Sequence, residues 1–487
     1  MPVSKSRRWK DGTVKKLAWF HRWLGVATCL VFALWFASGA VLLFKPFPSL
    51  SRADQMALQL QVDPRAVTVS PSRAVATAGG EAVALRLVER GGTPAYIVDT
   101  GNSLVAVDAR TGAALPLLPA GRAQAITAGI VGASSSVGAP FAYDQWVVHN
   151  HFDPLRPFYR IDVGDGPGTQ IYASARTGEF VQRTNFADRA WNWVGAVLHW
   201  AYFTPLRSSF TAWDRTVWIL SFVAMLVAIA GTILGVIRTM AAQRQRKPSL
   251  SFYRLKWMRW HHILGLFASL FVLTWILSGW LSMDHGRLFS RGQATPAQLA
   301  AYHGRPLGAA LANLDVTTVG TLPPSPEIAF DVVGGKLIII VFSRTGAVAL
   351  YDRNGVAVTS GELVELAKRG VGAAWPQMQV VRAATVPSTD VYALAEGWPA
   401  SAVQINLAGG DAPSVTIDGS DGRLLTVMSN SRAAYAWIYY ALHTFNFPGL
   451  TTRPMLRDVL VMIPLIFGFL FSITGVVIGV QRLRKSL

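Results

Sequence analysis

The chain has 487 residues, of which 51% are hydrophobic and only 15% charged. That is too apolar for an ordinary soluble protein and points to membrane segments. The net charge of +18 is placed in a way that argues against nucleic-acid binding. Lys5, Arg7, Arg8, Lys10, Lys15 and Lys16 crowd the first twenty residues against one acid, Asp11. Arg238, Arg244, Arg246, Lys247, Arg254, Lys256 and Arg259 occur with no acid between them, and Arg482, Arg484 and Lys485 close the chain. Each cluster flanks an apolar run, which is the positive-inside pattern. The single cysteine, Cys29, excludes an intramolecular disulfide and any zinc or iron–sulfur site built on several cysteines.

A bilayer-spanning helix needs about 20 mostly apolar residues. Four stretches qualify, and they predict a bacterial inner-membrane protein in nine parts. Residues 1–21 form a cytoplasmic N-terminus and the start of the first helix, and 22–44 the first span. This span is too long for a signal-peptide core and has no small-residue cleavage site after it, so it reads as a retained anchor. Residues 45–215 form a first periplasmic domain, ending in an interfacial helix at about 188–203, and 216–237 the second span. Residues 238–260 are a cytoplasmic linker and 261–283 the third span. Residues 284–458 form a second periplasmic domain, with a matching interfacial helix at about 431–446. Residues 459–480 are the fourth span and 481–487 a cytoplasmic tail.

The chain repeats itself. At an offset of 240, His21, Leu24 and Gly25 fall on His261, Leu264 and Gly265, Trp35 on Trp275, and Ser38-Gly39 on Ser278-Gly279. At an offset of 244, Trp193 falls on Trp437, Leu198-His199 on Leu442-His443, Asp214 on Asp458, Gly231 and Gly235 on Gly475 and Gly479, and Arg238 on Arg482. The expected fold is therefore an integral membrane α-helical protein: four transmembrane helices in two parallel repeats with pseudo-two-fold symmetry, plus two periplasmic α+β domains. In those domains, β-runs are closed by glycine turns. Val105–Asp108 precedes Thr111-Gly112, and Ile171-Tyr172 precedes Thr177-Gly178-Glu179-Phe180. Ala349–Asp352 precedes Asn354-Gly355, and Val415–Asp418 precedes Asp421-Gly422, giving two small units per domain. Thr295 as cap, Pro296 at the first position and Gly304 at the end predict a short helix between them.

Of nine histidines, four form repeat-related pairs: His21 with His261 near the cytoplasmic face and His199 with His443 at the external face. Ionisable residues in membrane helices are rare and read as functional. Symmetry-related imidazoles at one depth are what a bis-histidine haem requires. Gly25 and Gly265, one turn on, leave room for a flat macrocycle or for close helix packing; the same holds for Gly231, Gly235, Gly475 and Gly479. His262 is an alternative ligand to His261. His149-Asn-His151 alternates as on a strand, so that His149, His151 and Arg156 are candidates for a substrate surface, with a solvated loop as the plainer reading. His285 is placed beside the external pair, and His303 on the surface. No nucleophile triad, P-loop, dinucleotide fingerprint or HExxH motif appears, and no catalytic residue is assigned.

His21-Arg-Trp-Leu-Gly, Trp275 with Ser278-Gly279, Asp144-Gln145-Trp146, Arg156-Pro157, Tyr172 with Thr177-Gly178-Glu179, Leu198-His199-Trp200, Pro205-Leu206-Arg207 and Ala441-Leu442-His443 together resemble the PepSY-associated transmembrane family, which includes the FoxB-like inner-membrane haem reductases. The resemblance covers nearly the whole chain and departs from the family pattern at Asp284-His285, where a proline is expected, and at the second-half turns, which lack threonine. It implies two haem b groups on His21, His261, His199 and His443, and transmembrane electron transfer from a cytoplasmic donor to a periplasmic ferric siderophore or other iron chelate. The alternative is a PepSY-domain membrane regulator, a peptidase inhibitor or an accessory subunit of iron uptake without redox activity.

Overall fold

The computed structural model describes residues 5–124, 135–246 and 251–485, with side chains from residue 12 onward. Residues 247–250 of the linker, 486–487 of the tail and 1–4 lie outside the described residues. The chain divides into two compact units. One is built from residues 1–47, 190–289 and 434–487, the other from 48–189 and 290–433.

The first unit is helical. Its long helices are α1 (Lys5–Phe44), α2 (Phe210–Arg244), α3 (Lys256–Ser282) and α4 (Pro454–Leu483). All four are long and apolar enough to cross a membrane. They close a ring: α1 packs on α4 and α2, and α3 packs on α4 and α2. Phe32, Phe36, Ala224, Val227, Ala268, Val272, Trp275, Val461 and Leu465 fill its centre. Their outward faces carry exposed leucines, isoleucines and phenylalanines, the surface expected of helices solvated by lipid.

Among the described residues, the second unit holds three antiparallel sheets. A seven-stranded sheet is built from β1 (Ala84–Glu89), β2 (Pro94–Asp99), β3 (Leu104–Asp108), β8 (Glu327–Val333), β9 (Lys336–Phe342), β10 (Val348–Tyr351) and β11 (Ala357–Val358). A four-stranded sheet contains β4 (Ser136–Val137), β5 (Phe158–Asp162), β6 (Gln170–Ser174) and β7 (Phe180–Thr184), and another contains β12 (Gln379–Thr385), β13 (Ala402–Ala408), β14 (Ser414–Asp418) and β15 (Leu424–Met428). The segments read from sequence as two separate domains thus share a sheet. The join is the antiparallel pair β1–β8, with Arg86 opposite Ala329 and with Leu85 and Leu87 opposite Phe330 and Ile328. Arg86 and Ala329 are 243 residues apart, as are Gly112 and Gly355.

β9 shows why its sequence is a continuous apolar run. Leu337, Ile339 and Val341 enter the core shared with the helix Leu307–Leu311, while Ile338, Ile340 and Phe342 enter the core under the helix Ser360–Ala374. A strand covered on both faces has no polar side. The glycine turns are where the sequence puts them. Gly112, Gly178, Gly355 and Gly422 all lie in the left-handed region, at φ 76° to 80°, which a β-carbon disfavours. The helix Pro296–His303 also forms as expected, with a Thr295–Gln298 capping box and Gly304 as left-handed cap.

The β1–β8 join is pinned by a buried ion network. Arg86 forks onto Glu179, which follows the Gly178 turn, and reaches Glu327 at 3.2 Å; Arg52 bonds the other oxygen of Glu327 at 2.5 Å. Burial alone would raise the Glu327 pKa, but the two guanidiniums hold it below the usual carboxylate value.

Candidate functional site: two histidine pairs in the helical unit

His21 and His261 stand with ring centres 6.4 Å apart, and so do His199 and His443. His21 lies on α1 and His261 on α3. His199 and His443 precede α2 and α4. The two pairs sit at opposite ends of the bundle. Eighteen residues separate His21 from Gly39, which touches His199, and eighteen separate His261 from Gly279, which touches His443. That is about 27 Å along a helix.

Each ring is fixed through Nδ1. His199 lies 3.1 Å from the Ser38 hydroxyl and His443 lies 3.2 Å from that of Ser278. Each serine donates its only proton to the carbonyl three residues back, of Trp35 and Trp275 respectively. The hydroxyls can then only accept, so the histidines carry their proton on Nδ1. The same logic holds at the other end. The Thr474 hydroxyl donates to the Phe471 carbonyl and accepts from His261 at 3.0 Å. His21 donates directly to the Val227 carbonyl at 3.0 Å. All four imidazoles are therefore Nδ1–H tautomers, with the Nε2 lone pair left for a ligand bond.

Glycines make the notches in which these rings sit. A β-carbon on Gly231 would lie 2.6 Å from His21 Cε1, one on Gly279 3.0 Å from His443 Cε1, and ones on Gly39 and Gly475 3.4 Å and 3.5 Å from His199 and His261. The room foreseen at Gly265 is filled by the Phe471 ring, which stacks on His261 at 4.7 Å, whereas Gly25 faces open space.

Local backbone irregularity aims the His199–His443 pair. A π-helical turn begins at Trp193 and another at Trp437. Two residues beyond each histidine the chain reverses through a left-handed non-glycine residue, Ala201 at φ 52° and Phe445 at φ 58°. Such conformations cost roughly 1–3 kcal/mol each, and π turns recur at functional positions.

Chemically, each pair offers two imidazoles whose Nδ1 atoms are spent and whose rings face each other's side of the bundle at 6.4 Å. Metal–nitrogen bonds of about 2 Å on both sides of one ion put the ring centres about 6 Å apart, which the observed 6.4 Å spacing matches. Every anchoring partner of a histidine lies in its own half of the chain, and every pairing crosses between halves.

The other candidates separate clearly. His262 is buried, with Nδ1 on Ser251 and Nε2 on the Gly235 carbonyl and Thr239. Both nitrogens are engaged, and His261 is the ring that meets His21. His149-Asn-His151 is not on a strand. It opens the 3-10 helix Asn150–Leu155, where Pro154 has no N–H to give a ladder, although the two rings still approach to 4.8 Å. Arg156 is buried; it pairs with Asp153, bonds the carbonyls of Ala142 and His149 and lies over the Tyr143 ring. Its guanidinium organises this loop and has no free face for an anionic substrate. His303 is half-buried, donates to the Val332 carbonyl and neighbours Asp331, so it ties the helix Pro296–His303 to β8. Sequence reasoning gave no role to Ser38, Ser278 and Thr474; the signal for the first two was the matched Ser-Gly pair.

The family model for the PepSY-associated TM region matches residues 18–329. The chain belongs to this family. In this PepSY-associated transmembrane protein His21, His199 and His261 fall within the matched residues, while His443 lies beyond them. No curated protein matches the chain.

Proposed function

We propose that this PepSY-associated transmembrane protein binds two b-type haems and carries electrons across the bacterial inner membrane, from a cytoplasmic donor to a periplasmic acceptor. The acceptor we favour is a ferric chelate such as a siderophore, which releases its iron on reduction. The observation that carries the reading is the pairing of His21 with His261 and of His199 with His443, each at 6.4 Å, with every Nδ1 spent on an anchor. A haem iron between two imidazoles supplies reversible one-electron transfer.

In this account the chain's own residues do the rest. Ser38, Ser278, Thr474 and the Val227 carbonyl hold the tautomer and aim Nε2. Gly39, Gly231, Gly279 and Gly475 admit the rings. The basic clusters before α1, after α2 and after α4 set the orientation, with both chain ends cytoplasmic and residues 45–215 and 284–458 periplasmic. A pseudo-two-fold relation between the halves explains why like residues recur at offsets of 240 and 244 among the histidines, the serines and the notch glycines, Val227 and Thr474 being the exception. It also explains why strands β1 and β8 pair about residues 243 apart.

The test is optical. Protein purified in detergent should show a Soret band and, when reduced, a b-type α-band, with two haems per chain. A colourless protein produced with ample haem contradicts the proposal and favours a regulatory or accessory role.

A further inference from the structure

Outside the two pairs and the fully engaged His262, the described helical unit holds one more oriented histidine. His285 Nδ1 lies 2.7 Å from Asp214 Oδ2, in a dyad formed by the turn after α3 and the first turns of α2. The Trp218 ring lies 4.9 Å from the His285 ring, and Trp280 packs on Trp218 at 5.5 Å. Trp280 Nε1 is buried and makes no hydrogen bond to any described residue. The turn is strained to hold the ring there, since Asp284 and Arg287, both non-glycine, have φ of 46° and 60°.

The repeat does not require this dyad. The positions that match it in the other half are Lys45 and Asp458, and Asp458 pairs with Arg457. The Asp214 side chain is 15% exposed and that of His285 36%, so the carboxylate is shielded while the imidazole remains reachable. Asp214 is the charged group facing the ring. Asp284 spends Oδ1 on the Phe289 N–H, and Trp218 and Trp280 are uncharged. A chain of neighbours links the dyad to the His199–His443 pair: Trp218 beside His285 packs on Trp280, and Trp280 follows Gly279, which lies against His443.

We propose that His285, oriented by Asp214, is the proton donor to the periplasmic acceptor. This rests on the electron-transfer reading above. An acceptor that holds Fe(III) through anionic oxygens gains one electron through the His199–His443 pair, and Fe(III) becomes Fe(II). As an iron–oxygen bond breaks, the freed oxygen takes the Nε2 proton of the His285 imidazolium. Neutral His285, still donating Nδ1–H to Asp214, regains its proton from water. A histidine held through Nδ1 by a carboxylate presents Nε2 for proton transfer.

The experiment compares reoxidation of the dithionite-reduced, haem-loaded full chain by two oxidants, a ferric trihydroxamate, whose oxygens are protonated on release, and ferricyanide, which needs no proton. His285→Gln should slow the trihydroxamate reaction at least tenfold and abolish its solvent deuterium isotope effect, and Asp214→Asn should slow it less. Neither should alter the ferricyanide rate or the Soret band. In the haem-free protein, histidine ¹⁵N NMR should show a strongly deshielded Nδ1–H that is absent in His285→Gln and moves upfield in Asp214→Asn. Unchanged trihydroxamate rates in haem-loaded variants overturn this proposal alone; a wild-type protein without haem overturns it together with the reading on which it rests.

Discussion

His199 donates its Nδ1–H to the Ser38 hydroxyl across 3.1 Å, and that hydroxyl donates its own hydrogen bond to the carbonyl of Trp35. A single hydroxyl on α1 thereby fixes which nitrogen of a histidine before α2 is free. The equivalent chain from His443 through Ser278 to Trp275 does the same in the other half.

Ser38→Ala and Ser278→Ala should each remove this lock without removing the ligand. Losing one such hydrogen bond costs about 1 kcal/mol, and partners of metal-bound histidines typically contribute 10–100-fold in affinity. The expected result is weaker retention and a shifted midpoint potential for the haem of His199 and His443 only, read by spectroelectrochemical titration. Threonine at either position should restore the wild-type value.

The glycine notches give an asymmetric prediction. Gly231→Ala places a methyl 2.6 Å from His21 Cε1, whereas Gly475→Ala places one 3.5 Å from His261 Cε1, an ordinary contact distance. The first should displace His21 and lower the haem content to about half; the second should leave the pyridine haemochrome count unchanged.

The sequence exposed the apolar helices, the repeat and the four histidines because each rests on a local or periodic signal. Lipid imposes four long apolar runs, and residues matched at one offset are visible as a spacing. The turns at Gly112, Gly178, Gly355 and Gly422 were readable because only a left-handed residue closes them. What escaped were relations between distant residues. Nothing in the alternation of β1 or β8 says that they pair with each other. His149 and His151 follow a strand-like spacing that Pro154 defeats. Arg156 looks like an exposed cation, yet its fork is filled by Asp153 and two carbonyls. His262 could be told from His261 only once Ser251 and the Gly235 carbonyl were seen to occupy both of its nitrogens.

The ion network at the β1–β8 join is a stability prediction. Glu327→Ala leaves Arg52 and Arg86 without their shared carboxylate. Because Arg86 keeps Glu179 and Arg52 is partly solvated, the cost is that of lost charge-assisted hydrogen bonds, about 1–3 kcal/mol. The unfolding transition of the sheet unit, followed by circular dichroism, should fall accordingly while the haem spectrum of the helical unit is retained.

Asp421 supplies a pH prediction of definite sign. Burial, and then the charge of Asp418, push its pKa up to about 6. Its folded pKa lies above its unfolded value of about 4, so the native state binds the extra proton between those limits. The sheet unit should therefore lose stability as pH rises from about 4 to about 6. Asp421→Asn should flatten that part of the curve. Glu327, held low by its arginines, acts in the opposite sense and loses its contribution only in stronger acid.

The central claim is that each haem site is completed by one histidine from each half, and haem content of the single and paired histidine variants tests it most directly. His21→Ala, His261→Ala and the double variant should lose the same haem and keep the other. His199→Ala, His443→Ala and their double variant should lose the complementary one, leaving one haem per chain in all six proteins. If His21→Ala and His199→Ala remove the same spectral component, or if any single substitution leaves two haems in place, the cross-half pairing is wrong.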